Sequence, residues 1–197
     1  VIGLGRMGGR HILALKKLNL KLVGVTDKSK KAKINIKKKF HLSNSIVFKN
    51  VNQMLSNTNP RLLIIATTAD SHASLVKTAA KYKIKKILVE KPMATSIDDC
   101  KKMILVCKKS KSQLTVNHPH KFMPEYISMK KIVNSKKFGG LKSFNFIGGN
   151  IGVSMNAIHM FERFRFFTNY PIIKISAWLS DKNLQNPRGK KFKEKAG

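Results

Sequence analysis

The sequence predicts an α/β chain: a doubly wound parallel sheet followed by an incomplete α+β region. Three observations carry this. The chain opens on Val1-Ile-Gly-Leu-Gly-Arg-Met-Gly-Gly-Arg-His11, which reads as a strand end, a glycine turn and a helix start. Leu62-Leu-Ile-Ile-Ala66 and Lys86-Ile-Leu-Val89 are short apolar runs bounded by turns, the pattern of parallel strands covered on both faces. Between such runs lie segments with helical apolar spacing, so strand and helix alternate as far as Asn117.

Gly3, Gly5 and Gly8 stand at the G-x-G-x-x-G spacing. Gly3 permits the tight turn, Gly5 leaves room for a pyrophosphate, and Gly8 lets the helix pack against the sheet. The helix then aims its free N–H groups and positive dipole end at the phosphates. Ile12, Leu15 and Leu18 form its apolar face. Leu22-Val-Gly-Val-Thr26 reads as the second strand, with Asp27 directly after it. Asp27 lies 24 residues after Gly3, near the spacing of an acid that binds both ribose hydroxyls and repels a 2′-phosphate. That favours NAD, although Lys28 and Lys30 blunt the repulsion and leave NADP open.

Residues 29–39 read as a lysine-rich helix, Ile46-Val-Phe48 as a short strand, and Val51 to Leu55 as a helical turn. After the 62–66 strand comes a polar loop, Thr67 to Ser71. His72, Leu75, Val76, Ala79 and Ala80 mark the inner face of the next helix. The 86–89 strand leads into Glu90-Lys-Pro-Met-Ala-Thr-Ser96. Ser96 with Asp99 makes a capping-box start, and Ile97, Cys100, Ile104 and Cys107 are the expected buried stripe of the helix beyond. Gln113 to Asn117 is the sixth strand. The glycine turn, Asp27, Thr67–His72, Glu90–Pro92 and Asn117–His120 all fall at strand carboxyl ends, where such sheets bind ligands.

The pattern changes after His118-Pro119. A helix over Pro124 to Asn134, a strand over Leu141 to Ile147, a helix around Asn156 to Phe167 and a strand over Ile172 to Leu179 are expected. Two strands are too few for a stable sheet. The expected organisation is residues 1–118 as a dinucleotide-binding domain and residues 119–197 as part of a substrate and dimerisation domain, with the chain a fragment of a longer protein.

The 197-residue chain has 42% hydrophobic residues and no apolar run that would span a membrane. No signal-peptide pattern opens it, and Cys100 and Cys107 do not form a C-x-x-C site. A cytoplasmic protein is expected. Forty Lys and Arg against nine acids give a net charge of +31. Seven of the lysines lie between Lys28 and Lys39 on one helix. Aromatics are not interleaved among them, so the reading is solvated helix faces with weak attraction to polyanions, not a specific nucleic-acid surface.

Val1–His11, Thr-Thr-Ala-Asp-Ser-His at 67–72 and Leu88-Val-Glu-Lys-Pro-Met-Ala-Thr-Ser96 together resemble the Gfo/Idh/MocA family (glucose–fructose oxidoreductase and inositol dehydrogenase). The Glu-Lys-Pro motif is the more specific part. The resemblance implies an N-terminal Rossmann domain, a second α/β domain with an open sheet, and NAD- or NADP-dependent oxidation or reduction of sugar and cyclitol hydroxyls. Asn117-His-Pro119 and the 148–159 segment look like a branch associated with polysaccharide and nucleotide-sugar biosynthesis. On this reading Gly3, Gly5, Arg6, Met7, Gly8, Asp27, Thr67, Thr68, His72, Glu90 and Lys91 bind the cofactor. The resemblance places Lys91 near nicotinamide and substrate and makes His159 the acid/base. His120 and Asn156 join them as substrate contacts.

The family often carries an acid four residues before this histidine; here the position is Met155, and Asn156 is a candidate to orient the imidazole instead. Glu162 could pair with His159 or with Arg163 or Arg165. No Cys or acidic cluster accompanies His118 and His120, so no metal site is expected. A homo-oligomer with a sugar or nucleotide-sugar substrate is expected. The rivals are a dinucleotide-binding sensor or scaffold without turnover, and a basic nucleic-acid binder.

Overall fold

The computed structural model describes residues 1–148, 152, 156–178, 183–184 and 194–195. The chain divides into two compact units, Val1–Asn117 and His118–Gly197.

The first unit is built around a parallel sheet. Its regular strands are β1 (Leu62–Ile65), β2 (Lys86–Glu90) and β3 (Gln113–Asn117), in the order β1-β2-β3. On the far side of β1, Ile2 bridges both Ile65 and Thr26, and Val25 bridges Val47, all in parallel. Six segments therefore lie side by side in the order third, second, first, fourth, fifth, sixth, the order of a dinucleotide-binding sheet. The second and third are shorter than the sequence pattern implied. Only Val25 and Thr26 of the 22–26 run are paired, and 46–48 is a 3-10 turn at Asn44–Ile46 followed by one bridge. The backbone bonds Gly3 N–H to Thr26 O, Thr26 N–H to Val1 O and Ala66 N–H to Ile2 O make the central ladder.

Alternate residues of the strands feed two cores, one on each face. Leu63, Ile65, Ile87 and Val89 join Met54, Val76, Ala79, Met103 and Cys107 on one side. Ile64 joins Val1, Leu4, Ile12, Val25, Ile36 and Phe40 on the other. The helices that cover these faces are α1 (Arg6–Lys17), α2 (Lys30–Phe40), α3 (Val51–Thr58), α4 (His72–Lys81) and α5 (Ile97–Ser110). The two-faced burial explains why these strands read as continuous apolar runs. It also explains the lysine clusters: Lys37, Lys38 and Lys39 occupy the last turn of α2 and Lys108 and Lys109 that of α5, where cations complement the helix dipole.

The buried stripe of α5 differs from the expected one. Ile97 is 75% exposed and Ile104 57%, whereas Met103 is 1% exposed and Cys107 3%. The inner face is Cys100–Met103–Cys107; the two isoleucines lie about 70–90° from its centre on the helical wheel. Leu18, at the end of α1, is likewise exposed. The cap forms as the sequence implied. Ser96 Oγ accepts from Asp99 N–H at 3.1 Å and donates to the Asp99 carboxylate at 2.9 Å. Ser96→Ala is expected to cost about 1 kcal/mol, read as a lower urea midpoint at unchanged slope. An unchanged midpoint would show the cap to be idle.

In the second unit, a turn at Pro119–Phe122 leads into α6 (Pro124–Val133), and α7 spans Ile158–Thr168. Phe167 is buried and meets Phe144, Phe166 and Tyr126. The strands expected at 141–147 and 172–179 do not form among the described residues: 141–147 and 172–178 are unpaired, and Leu179 lies outside the described set. An alternating pattern becomes a strand only against a neighbour, and here Phe144 packs on helix α7 instead. Asn183–Leu184 pairs antiparallel with Glu194–Lys195. Among the described residues no helix is long and apolar enough to cross a membrane.

Candidate active site

The glycine turn is shaped by the sheet it leaves. Gly3 has φ +88°, and a Cβ there would lie 2.7 Å from the Ala66 carbonyl carbon. Gly8, on the first turn of α1, sits against the Gly3 carbonyl, inside the space any Cβ would need. Gly5 is different. A Cβ there would meet nothing within 4 Å, and Gly5 caps α1 without any side-chain hydrogen bond. The first N–H groups of α1 therefore face open space with no side chain in the way, which is what an approaching diphosphate requires. Arg6 is exposed and Met7 partly so. A groove of about 640 Å³ runs from Gly5 and Arg6 past Arg10 to Ser29, Lys31 and Asn35 on α2.

Asp27 stands beside this turn. Its Oδ2 accepts from Leu4 N–H at 2.6 Å and its Oδ1 from Ser29 N–H at 2.7 Å. Each oxygen keeps a second lone pair. The carboxylate is thus held rigidly at the strand end with acceptor capacity left for ribose hydroxyls. These residues fit a dinucleotide: an open helix terminus for the pyrophosphate and a fixed carboxylate for a ribose diol.

Thr67 and Thr68 follow β1 and are partly exposed, and Ser71 Oγ donates to Thr67 Oγ1 at 2.7 Å. His72 and Glu90, expected among the cofactor contacts, are both buried. His72 is fully buried; its Nδ1 lies 3.1 Å from the Pro92 carbonyl and 3.2 Å from that of Met93, and its Nε2 3.2 Å from the Thr67 carbonyl. It lies between the Thr67 loop and the Lys91-Pro92 turn, with one ring nitrogen facing each. Glu90 is also buried. Its Oε1 is 2.7 Å from His11 Nε2 and 2.8 Å from Asn117 Nδ2. An ionised carboxylate only accepts, so His11 donates. Burial pushes the Glu90 carboxyl up, but the bonds from His11 and Asn117, the His11 charge and the Lys91 N–H outweigh it and leave the group below its ordinary value. His72 and Glu90 are supports beneath the site, and Lys91 sits on the turn between them.

His11 was not legible as a site residue. It lies 79 positions from Glu90 in sequence, and its one signal is a histidine one turn past the last motif glycine on the helix that starts at the turn.

In the second unit three imidazoles gather. His159 on α7 lies 4.2 Å from His120 and 5.8 Å from His118, ring centre to ring centre. His120 stacks on Tyr126 at 5.6 Å, and Arg163 Nε donates to His120 Nδ1 at 3.2 Å while its guanidinium covers Tyr126 at 4.5 Å. Acceptance at Nδ1 leaves the ring proton of His120 on Nε2. Glu162 pairs with Lys121 at 3.4 Å. Asn156 is exposed before α7, its N–H on the Gly152 carbonyl. Met155 lies outside the described residues. Among the described residues, no three His, Cys, Asp or Glu side chains are grouped to hold a metal ion.

A family model described as an oxidoreductase family with an NAD-binding Rossmann fold matches residues 1–118. Among curated relatives, the rhizopine catabolism protein MocA of Rhizobium meliloti is 23% identical over 184 residues, covering 85% of this chain and 56% of the relative. Myo-inositol 2-dehydrogenase of Thermotoga maritima is 26% identical over 140 residues, covering 71% of this chain and 41% of the relative. The chain thus spans about half the length of the curated relatives it matches. A probable dehydrogenase from Thermotoga maritima superposes with a TM-score of 0.73 at 22% identity, over 87% of this chain and 55% of that one. The WlbA dehydrogenase from Bordetella pertussis, solved in complex with NADH and UDP-GlcNAcA, does so with a TM-score of 0.62 at 25% identity, over 70% of this chain and 42% of that one. With the sheet order, the glycine turn and the Glu-Lys-Pro turn all in place beneath that match, the chain belongs to the Gfo/Idh/MocA family of oxidoreductases with the NAD-binding Rossmann fold.

Proposed function

We propose that the chain is the cofactor-binding part, with a portion of the substrate part, of an NAD-dependent dehydrogenase acting on a hydroxyl carbon of a sugar or nucleotide sugar. The observation that carries this is the open N-terminus of α1 at Gly5 with the Asp27 carboxylate fixed beside it. The substrate class rests on relatives: one is a myo-inositol dehydrogenase, and another binds UDP-GlcNAcA with NADH. When bound, NAD supplies the hydride acceptor. Gly5 and the first turn of α1 hold the diphosphate, Asp27 the adenosine ribose, and Thr67 and Thr68 border the path toward Lys91.

Lys91 hydrogen-bonds the reacting oxygen, held by the supports already described. His159 in the second unit takes the hydroxyl proton at a ring nitrogen; His120 and Asn156 contact the substrate. The second unit contributes to substrate binding and to assembly of a homo-oligomer. Lys28 and Lys30, which follow Asp27 in the chain, soften the rejection of a 2′-phosphate, so NADP binds more weakly than NAD but measurably.

The test is calorimetric titration of NAD, NADH and NADPH into the chain and its Asp27→Ala variant at moderate salt. Micromolar NADH binding that Asp27→Ala weakens at least about tenfold is expected, since at least one charge-assisted hydrogen bond goes. Asp27→Asn, which keeps one acceptor, loses less. Equal binding of all three ligands that fades with salt would mean that the lysines collect anions, and the reading would fail.

A further inference from the structure

We propose that His11 is a positioning residue for Lys91, acting through Glu90. The inference rests on the cofactor reading above and deepens it. Three donors converge on the Glu90 carboxylate: His11 from α1, Asn117 from the end of β3, and the Lys91 backbone N–H. The first two share one oxygen, Oε1. The peptide that begins Lys91 is therefore bound to a group that is itself pinned from two neighbouring elements.

On the other side of the lysine, the Pro92 and Met93 carbonyls are held by His72. Lys91 stands between two imidazole brackets, one rooted in α1 and one in α4. The bracket from α1 has a particular consequence. His11 is six residues past Gly5, roughly 9 Å along the same helix. The helix whose first turn takes the pyrophosphate thus also fixes the turn that carries Lys91. The imidazole and the carboxylate are both largely buried, at 13% and 7% side-chain exposure, so the link is rigid and little screened. Neither Glu90 nor His11 need touch the cofactor for this. Their role is to set where Lys91 starts.

A pair that merely stabilises the fold would weaken every ligand of the first unit alike; a positioning pair acts only where Lys91 is felt. NADH and ADP-ribose separate these, because ADP-ribose carries the adenosine ribose and the pyrophosphate but no nicotinamide. Calorimetry on the full chain is expected to show NADH binding weakened by about tenfold in His11→Leu, with ADP-ribose changed by less than about twofold. In a Lys91→Ala background the same substitution is expected to change NADH binding by less than about twofold, because the group it positions is gone. His11→Gln keeps a donor near the Nε2 position and is expected to stay within about threefold of the native chain. It also serves if His11→Leu folds poorly. Equal losses for NADH and ADP-ribose, or a loss that persists beside Lys91→Ala, overturns the inference while leaving the cofactor reading intact. A native chain that binds neither ligand overturns both.

Discussion

Gly8→Ala is expected to lower the unfolding free energy by about 3 kcal/mol and to remove NAD binding, the larger of the two effects being on the site. A Cβ at this position falls into the Gly3 carbonyl oxygen and lies 2.9 Å from the Gly3 carbonyl carbon. Both are backbone atoms, so no rotamer change can make room. Gly3 cannot retreat either, because its N–H is bonded to Thr26 O and its own Cα lies against the Ala66–Thr67 peptide. The first turn of α1 must therefore swing away from the sheet, and the N–H groups that start at Gly5 swing with it. Gly5→Ala is the informative comparison. Its Cβ meets no protein atom within 4 Å, so stability should change little while the diphosphate loses its approach. Urea unfolding followed by circular dichroism, with NADH calorimetry on the same samples, reads both. Native stability in Gly8→Ala, or native NADH affinity in Gly5→Ala, would sink the account of the turn.

The parts of this site that could be read from the chain alone are those whose physics is local. The glycine spacing, the acid at the end of the second apolar run and the Ser96 cap each involve residues within a few positions or one supersecondary unit, and each appears in the structure. The Glu-Lys-Pro turn was legible as a motif, but the part played by its acid was not. Whether a carboxylate faces a ligand or a buried imidazole depends on what a helix 79 residues earlier presents to it, and no spacing encodes that.

His72 shows the same limit. Its place at a helix start suits a polar contact, yet it is buried beneath two loops whose carbonyls its ring nitrogens face. In α5, apolar periodicity identified the helix and missed the face, because Ile97, Ile104 and Leu105 give it more apolar residues than its inner stripe can hold. The segments 141–147 and 172–178 carry strand-like alternation without a neighbour to pair with among the described residues. Strand formation is a property of the pair, so the pattern alone over-predicted.

The Glu90–His11 pair also predicts how stability changes with pH, with opposite signs in two forms of the chain. In the native chain the folded-state pKa of Glu90 is depressed below the ordinary 4.5. Its ionised form is then stabilised more in the folded than in the unfolded state. That contribution is fully present above the unfolded value and is lost as pH falls through the lower, folded one. In His11→Leu the carboxylate remains buried with Asn117 and the Lys91 N–H, but without its strongest donor or the His11 charge. Burial, the largest single influence on this group, is then opposed by fewer bonds, and the folded pKa is expected to rise above the unfolded value. The variant is destabilised while Glu90 is ionised and recovers stability as pH falls through that raised value. Near neutral pH the loss is expected to be about 3 kcal/mol, the scale for leaving a buried charge without its partner. The gap between the two stability curves should narrow steadily in acid, and adding Glu90→Gln to His11→Leu should remove most of the pH dependence of the gap. Urea unfolding of the three forms from neutral pH to about pH 4, just below the ordinary carboxyl value, measures this. A gap that stays constant across that range would mean that His11 acts by packing and not through the carboxylate.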